Sequence, residues 1–138
     1  MTSMAFDLED VMKDKIKTGY VMEDLYKIAN KKQVCREKIS NVKHWVYKPC
    51  WSYRCGNDEC FISIYQVLLQ KRKFTDHHRR IRNASLEYPL IIVKDKYDKY
   101  GTILDGNHRF AKSLLKNKKF INYVYLTKSD LDKIRVRA

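Results

Sequence analysis

The stretch that decides the fold is Pro89-Leu90-Ile91-Ile92-Val93, a polar turn over residues 94–100, and then Gly101-Thr102-Ile103-Leu104-Asp105-Gly106-Asn107-His108-Arg109-Phe110-Ala111. The first five residues are a continuous apolar, β-branched run of the kind covered on both faces of a sheet. Proline stands at its start, where no ladder donor is lost. Residues 101–104 predict a second strand and hence a hairpin. Asp105-Gly106-Asn107 stops that strand, and Phe110, Ala111, Leu114 and Leu115 recur at helical spacing, so a helix is expected from near His108 to about Asn117.

Working outward, residues 120–126 alternate as a third strand, and Ser129 is expected to cap a short last helix carrying Leu131 and Ile134. Upstream, Thr75 reads as the N-cap of a helix through Arg82, and residues 61–69 as an extended run ending in a short helix. Residues 44–60, with Trp45, Tyr47, Trp51 and Tyr53, read as a strand or extended arm followed by a loop. Residues 7–39 read as helix, broken at Gly19, because Val21, Leu25, Ile28 and Ala29 recur at helical spacing. The expectation is one α/β (α+β) domain: a small mixed sheet flanked by helices, with residues 1–43 as an N-terminal helical extension and 44–138 as the domain proper.

The chain of 138 residues is 44% apolar with 4 Gly and 2 Pro, a globular composition without low-complexity tracts. Lys and Arg exceed Asp and Glu by 29 − 16 = 13, which favours polyanionic partners. Lys71-Arg72-Lys73 and Arg79-Arg80-Ile81-Arg82 concentrate that charge and are candidate nucleic-acid contacts. The plainer explanation is a solvated helix face in a Lys-rich, AT-rich coding background. No apolar run approaches the ~20 residues of a membrane span, so a soluble, unsecreted protein is expected, cytoplasmic, or nuclear or virion-borne if its source is viral. Cys35, Cys50, Cys55 and Cys60 are expected as reduced thiols, or paired in an oxidising compartment. Cys50, Cys55 and Cys60, with His44, His77 or His78, are spaced more widely than most zinc knuckles, so no zinc site is expected.

The chemistry points to the turn. A strand that ends in Asp-Gly and feeds a helix leaves first-turn amides without internal acceptors, and such an end suits an anion. Gly106 permits close backbone approach, Arg109 offers a planar fork to phosphate oxygens, and His108 can orient a substrate or shuttle a proton. The bland alternative is a helix-capping turn with solvated side chains. An arginine in a first helical turn opposes the helix dipole and fits an anion neighbour.

The run from Ala84 to Val93, with Tyr88-Pro89-Leu90-Ile91-Ile92-Val93, followed by Ile103-Leu104-Asp105-Gly106-Asn107-His108-Arg109-Phe110-Ala111-Lys112, resembles the ParB/sulfiredoxin superfamily, most of all its small stand-alone ParB-like members. The resemblance covers about residues 45–126. It implies that the turn binds nucleotide phosphates through Gly106, Asn107, His108, Arg109 and Lys112, with Asp105, His108 and Arg109 as candidate catalytic residues. The nucleotide would be ATP, ADP or CTP, carried with Mg²⁺, and the reaction NTP-dependent phosphotransfer or nucleotide hydrolysis. Sulfiredoxins place their attacking cysteine where this chain has Asn107, so that activity is not expected. The serine kinases of the superfamily match at Asp105, Gly106 and Arg109 and use a further glutamate, for which Glu59 and Glu87 are the candidates by position. Two other classes stay open: a DNA- or RNA-binding or nuclease module working through Lys71, Arg72, Lys73, Arg79, Arg80 and Arg82, and a non-catalytic structural or virion component.

Overall fold

The computed structural model describes residues 22–134 and shows an α+β architecture. In chain order the elements are α1 (Met22–Ala29), β1 (Cys35–Lys38), two short 3-10 turns (Ile39–Asn41 and Lys43–Tyr47), β2 (Pro49–Cys55) and β3 (Asp58–Ser63). They continue with α2 (Ile64–Leu69), α3 (Thr75–Asn83), β4 (Leu90–Asp95), β5 (Asp98–Asp105), α4 (Asn107–Leu115), β6 (Phe120–Leu126) and α5 (Lys128–Ile134). The main sheet is mixed, in the order β1-β6-β4-β5, and β2 and β3 form a separate hairpin. β6 lies parallel to β4, while β1–β6 and β4–β5 are antiparallel. The connection from β5 through α4 therefore carries the chain across β4 to its other edge.

The apolar run at 90–92 is buried on both faces, as its composition requires. Leu90 and Ile92 point to one side, where they meet Trp45, Ile62, Ile64, Val67, Ile81 and Phe110. Ile91 points to the other and packs with Leu25, Tyr26 and Ala29 of α1, Val124 and Leu126 of β6, and Ile134 of α5. Two helical layers thus sandwich the sheet, α1 and α5 on one face and α4 with α3 on the other. On the second face Trp45 ties the layers together: its indole donates to the Gly101 carbonyl at 2.9 Å, and its ring meets Phe110 edge-on at 5.3 Å.

Several local expectations are corrected. Of residues 7–39, positions 7–21 lie outside the described residues. The rest is helical only to Ala29, and Cys35–Lys38 is the edge strand β1. The apolar stripe that supports the helix stops at Ala29, since Lys32, Gln33 and Arg36 offer nothing to bury, and β6 takes the segment as a ladder partner from Cys35↔Tyr123 to Lys38↔Phe120. Thr75 does not cap α3. Phe74 occupies that position without a side-chain bond, because its ring is drawn into the core edge-on to Tyr53 at 5.4 Å. Ser129 is likewise not the cap of α5. Thr127 is, its hydroxyl accepting from the Asp130 amide while the Asp130 carboxylate accepts from the Thr127 amide. Residues 49–63 are a regular hairpin instead of an arm and loop, and Cys55 and Cys60 are joined in a disulfide. Cys35 is exposed, and burial pushes the Cys50 thiol up to about 12, leaving it un-ionised at neutral pH.

Candidate functional site

The corner between β5 and α4 owes its shape to two irregularities. Ile92 pairs with Ile103 but Ile91 pairs with Asp105, so Leu104 is an extra residue in β5. Strict alternation would put Asp105 on the same face as Ile103. The bulge returns it to the face of Ile91, where its carboxylate accepts from the Tyr26 hydroxyl at 3.2 Å. Gly106 then turns the chain back across the sheet with φ of +110°, and α4 starts on the opposite face. A Cβ at Gly106 would lie 2.6 Å from Leu90 Cδ2, so glycine is required here both by backbone angle and by space. The carbonyl of Gly106 accepts the first helical bond, from Phe110 N at 2.9 Å. The amides of Asn107 and His108 precede that bond and have no acceptor within the helix.

Residues 105–109 are all half-buried. On one flank Arg109 donates to the Pro89 carbonyl at 2.9 Å, stands 4.0 Å from the Asp105 carboxylate and lies over the Tyr88 ring at 5.3 Å. Burial lowers its pKa from the usual arginine value, opposed by Asp105, Tyr26 and Tyr88. On the other flank His108 stacks on Trp51 at 4.5 Å, and Trp51 stacks in turn on His77 at 4.3 Å. His77 Nδ1 and His108 Nε2 are 3.0 Å apart and share one hydrogen bond. Burial first, then the nearby charges of His77, Arg80 and Arg109 push the His108 pKa down to about 3, with Asp76 partly opposing. His108 is therefore neutral throughout the physiological range. It enters the site as a hydrogen-bonding ring, which corrects its expected part as a proton shuttle near pH 7.

The turn thus brings Asp105, Gly106, Asn107, His108 and Arg109 to one corner, with the carboxylate and guanidinium on the α1 side and the imidazole on the α3 side. Lys112 does not join them. Its ammonium donates to the carbonyls of Arg82 and Ala84, at 2.7 and 2.8 Å, and closes the C-terminal end of α3. Glu59 is exposed on β3 opposite Arg54, and Glu87 is exposed in the loop before β4. Of the six candidate nucleic-acid contacts, all are exposed, and Arg79 is paired with Asp76. The sequence reading missed Trp51 and Tyr26. Each becomes a site residue only through a contact across the fold, and no local motif announces either.

A cavity of about 440 Å³ lies elsewhere, at the far end of β5, lined by His44, Lys48, Asp95, Tyr97, Asp98 and neighbours. Lys48 reaches Asp98 at 2.7 Å and Asp95 at 3.2 Å, and His44 meets Asp98 at 2.6 Å. Hydrogen bonds, first from Thr102, hold the Asp95 carboxyl down at about 2. These groups satisfy one another and brace the β4–β5 hairpin against Lys48. Among the described residues no group of three His, Cys, Asp or Glu side chains is placed to hold a metal ion, and no helix is long and apolar enough to cross a membrane.

No protein-family model matches the chain, and neither does any curated protein or solved structure.

Proposed function

We propose that the β5–α4 corner binds the phosphate groups of a nucleotide. The observation that carries this reading is the left-handed Gly106 delivering the open amides of Asn107 and His108 into surroundings positive enough to help keep a histidine neutral. An anion placed there gains both donors and field without any charge having to be rearranged. The likeness of the Asp105-Gly106-Asn107-His108-Arg109 turn to the ParB/sulfiredoxin superfamily points the same way, since the matching turn of that superfamily holds nucleotide phosphates.

The roles follow from the contacts. The amides of Asn107 and His108 take phosphate oxygens, the His108 ring presents a neutral donor or acceptor, and Arg109, braced by Pro89 and Tyr88, neutralises from the α1 side. Mg²⁺ arrives on the nucleotide and needs only one or two protein carboxylates, which Asp105 is positioned to supply. When bound, the ion would neutralise the phosphates and polarise the bond to be broken. Asp105 is also the candidate base, because His108 does not protonate near neutral pH. Phosphotransfer and hydrolysis are both compatible with this arrangement.

Calorimetric titration with ATP, ADP, CTP and GTP, with and without Mg²⁺, tests the reading. Asn107→Asp is the decisive variant, since a carboxylate at the first helical position suits the fold and the dipole but repels phosphate. Saturable binding in the wild type that Asn107→Asp abolishes, with the melting temperature retained, is expected. Absence of binding by all four nucleotides, or equal binding by both proteins, would overturn it.

A further inference from the structure

The densest charge of the molecule lies outside the corner. Residues 70–83 carry six cations, Lys71, Arg72, Lys73, Arg79, Arg80 and Arg82, against one carboxylate, Asp76, a local excess of 6 − 1 = 5. Asp76 is taken by Arg79. Among the described residues, Lys71, Arg72, Lys73, Arg80 and Arg82 have no carboxylate partner, and all are exposed. A fold that only needed a soluble helix would intersperse acids here, as α1 does with Glu23 and Lys27 at 3.3 Å.

Aromatic rings adjoin these cations. The Lys73 ammonium sits over Tyr53 and Phe74, at 5.6 and 5.3 Å from their centroids, which fixes the basic turn against the β2–β3 hairpin. On α2, which leads directly into that turn, Tyr65 is 43% exposed and pairs with Tyr47, itself 64% exposed, at 5.0 Å between centroids. Phe61, at the end of β3, is 65% exposed. Open π-faces beside unpaired cations fit a strand whose bases are unstacked and whose phosphates are close by. Paired bases in a duplex do not offer their faces to such rings.

We propose that this face, made of the β2–β3 hairpin, α2, the turn at 70–74 and α3, binds single-stranded DNA or RNA, with Lys71, Arg72, Lys73, Arg80 and Arg82 on phosphates and Tyr47, Tyr65 and Phe61 under bases. Arg80 also belongs to the field felt by His108, so the face runs up to the corner without depending on it. The inference stands apart from the nucleotide reading.

Fluorescence anisotropy with labelled 12-residue strands of deoxythymidine and of uridine, and a duplex of the same length, tests it across a salt series. Both single strands are expected to bind more tightly than the duplex. The combined Lys71→Gln, Arg72→Gln, Lys73→Gln variant should make the salt slope shallower by about 2, at roughly 0.7 for each phosphate no longer neutralised. Tyr65→Ala should weaken single-strand binding at least about fivefold and leave the duplex unchanged. Asn107→Asp should bind strands as the wild type does, which separates this surface from the corner. The proposal is overturned if the strands stay unbound at low salt, if the duplex binds as tightly, if neutralisation has no effect, or if a sulfated polysaccharide competes as well as nucleic acid.

Discussion

Arg109 and Arg72 are the same residue type in opposite situations. At the β5–α4 corner the guanidinium is half-buried, donates to a main-chain carbonyl and stands beside a carboxylate and a tyrosine ring. In the turn at 70–74 the guanidinium is exposed, with no acid within reach among the described residues. The corner's side chains are therefore part of the fold as well as of the site, and substitutions there change stability and binding together. The basic turn contributes nothing to packing, and substitutions there change binding alone.

The sharpest way to break this contrast is Gly106→Ala. The new methyl meets Leu90, which is fully buried, at a backbone angle that disfavours any side chain, and a loss of about 3 kcal/mol is expected by urea unfolding. A loss under about 1 kcal/mol would mean that Leu90 moves aside and that the corner is not pinned.

Next in size is the effect of pH through His108. Its folded pKa, about 3, lies below the unfolded value of about 6.5, so the unfolded chain binds the extra proton in that window and stability rises with pH across it. Its contribution is fully present above about pH 6.5 and declines as pH falls toward 3. Between pH 7 and pH 5 this amounts to about 2 kcal/mol. Urea midpoints at the two pH values should differ accordingly, and His108→Gln should remove that part of the difference. An unchanged pH dependence in the variant would place the titration on another group.

Lys112→Met keeps the alkyl stem and deletes the donors to the Arg82 and Ala84 carbonyls. About 1 kcal/mol should be lost, with nucleotide affinity retained. A loss of nucleotide affinity without loss of stability would return Lys112 to the site. The smallest change is expected for the combined Lys71→Gln, Arg72→Gln, Lys73→Gln variant, within about 0.5 kcal/mol of the wild type. A larger destabilisation would show that the basic turn is part of the fold after all.

The same contrast explains what was legible in the sequence. The hydrophobic run at 89–93, the hairpin after it and the helix after Asp105-Gly106-Asn107 announce themselves because each is set by neighbours in the chain. So does the exposed charge at 71–82, since nothing in the fold alters it. The strand at 35–38 was hidden because four polar residues carry no period, and only the edge of β6 makes them extended. The bulge at Leu104, which decides the side Asp105 faces, has no local signature either. Trp51 and Tyr26 are brought to the corner by the hairpin and by α1. The role of His108 was misread because its charge state depends on burial under Trp51 and on His77 and Arg80, both distant in the chain.

The most direct test of the corner is the amide spectrum of ¹⁵N-labelled protein during titration with Mg²⁺-ADP. Saturable shifts centred on the amides of Asn107 and His108, absent in Asn107→Asp, are the predicted result. Shifts confined to residues 71–82, or spread without saturation, would contradict a phosphate site at the start of α4.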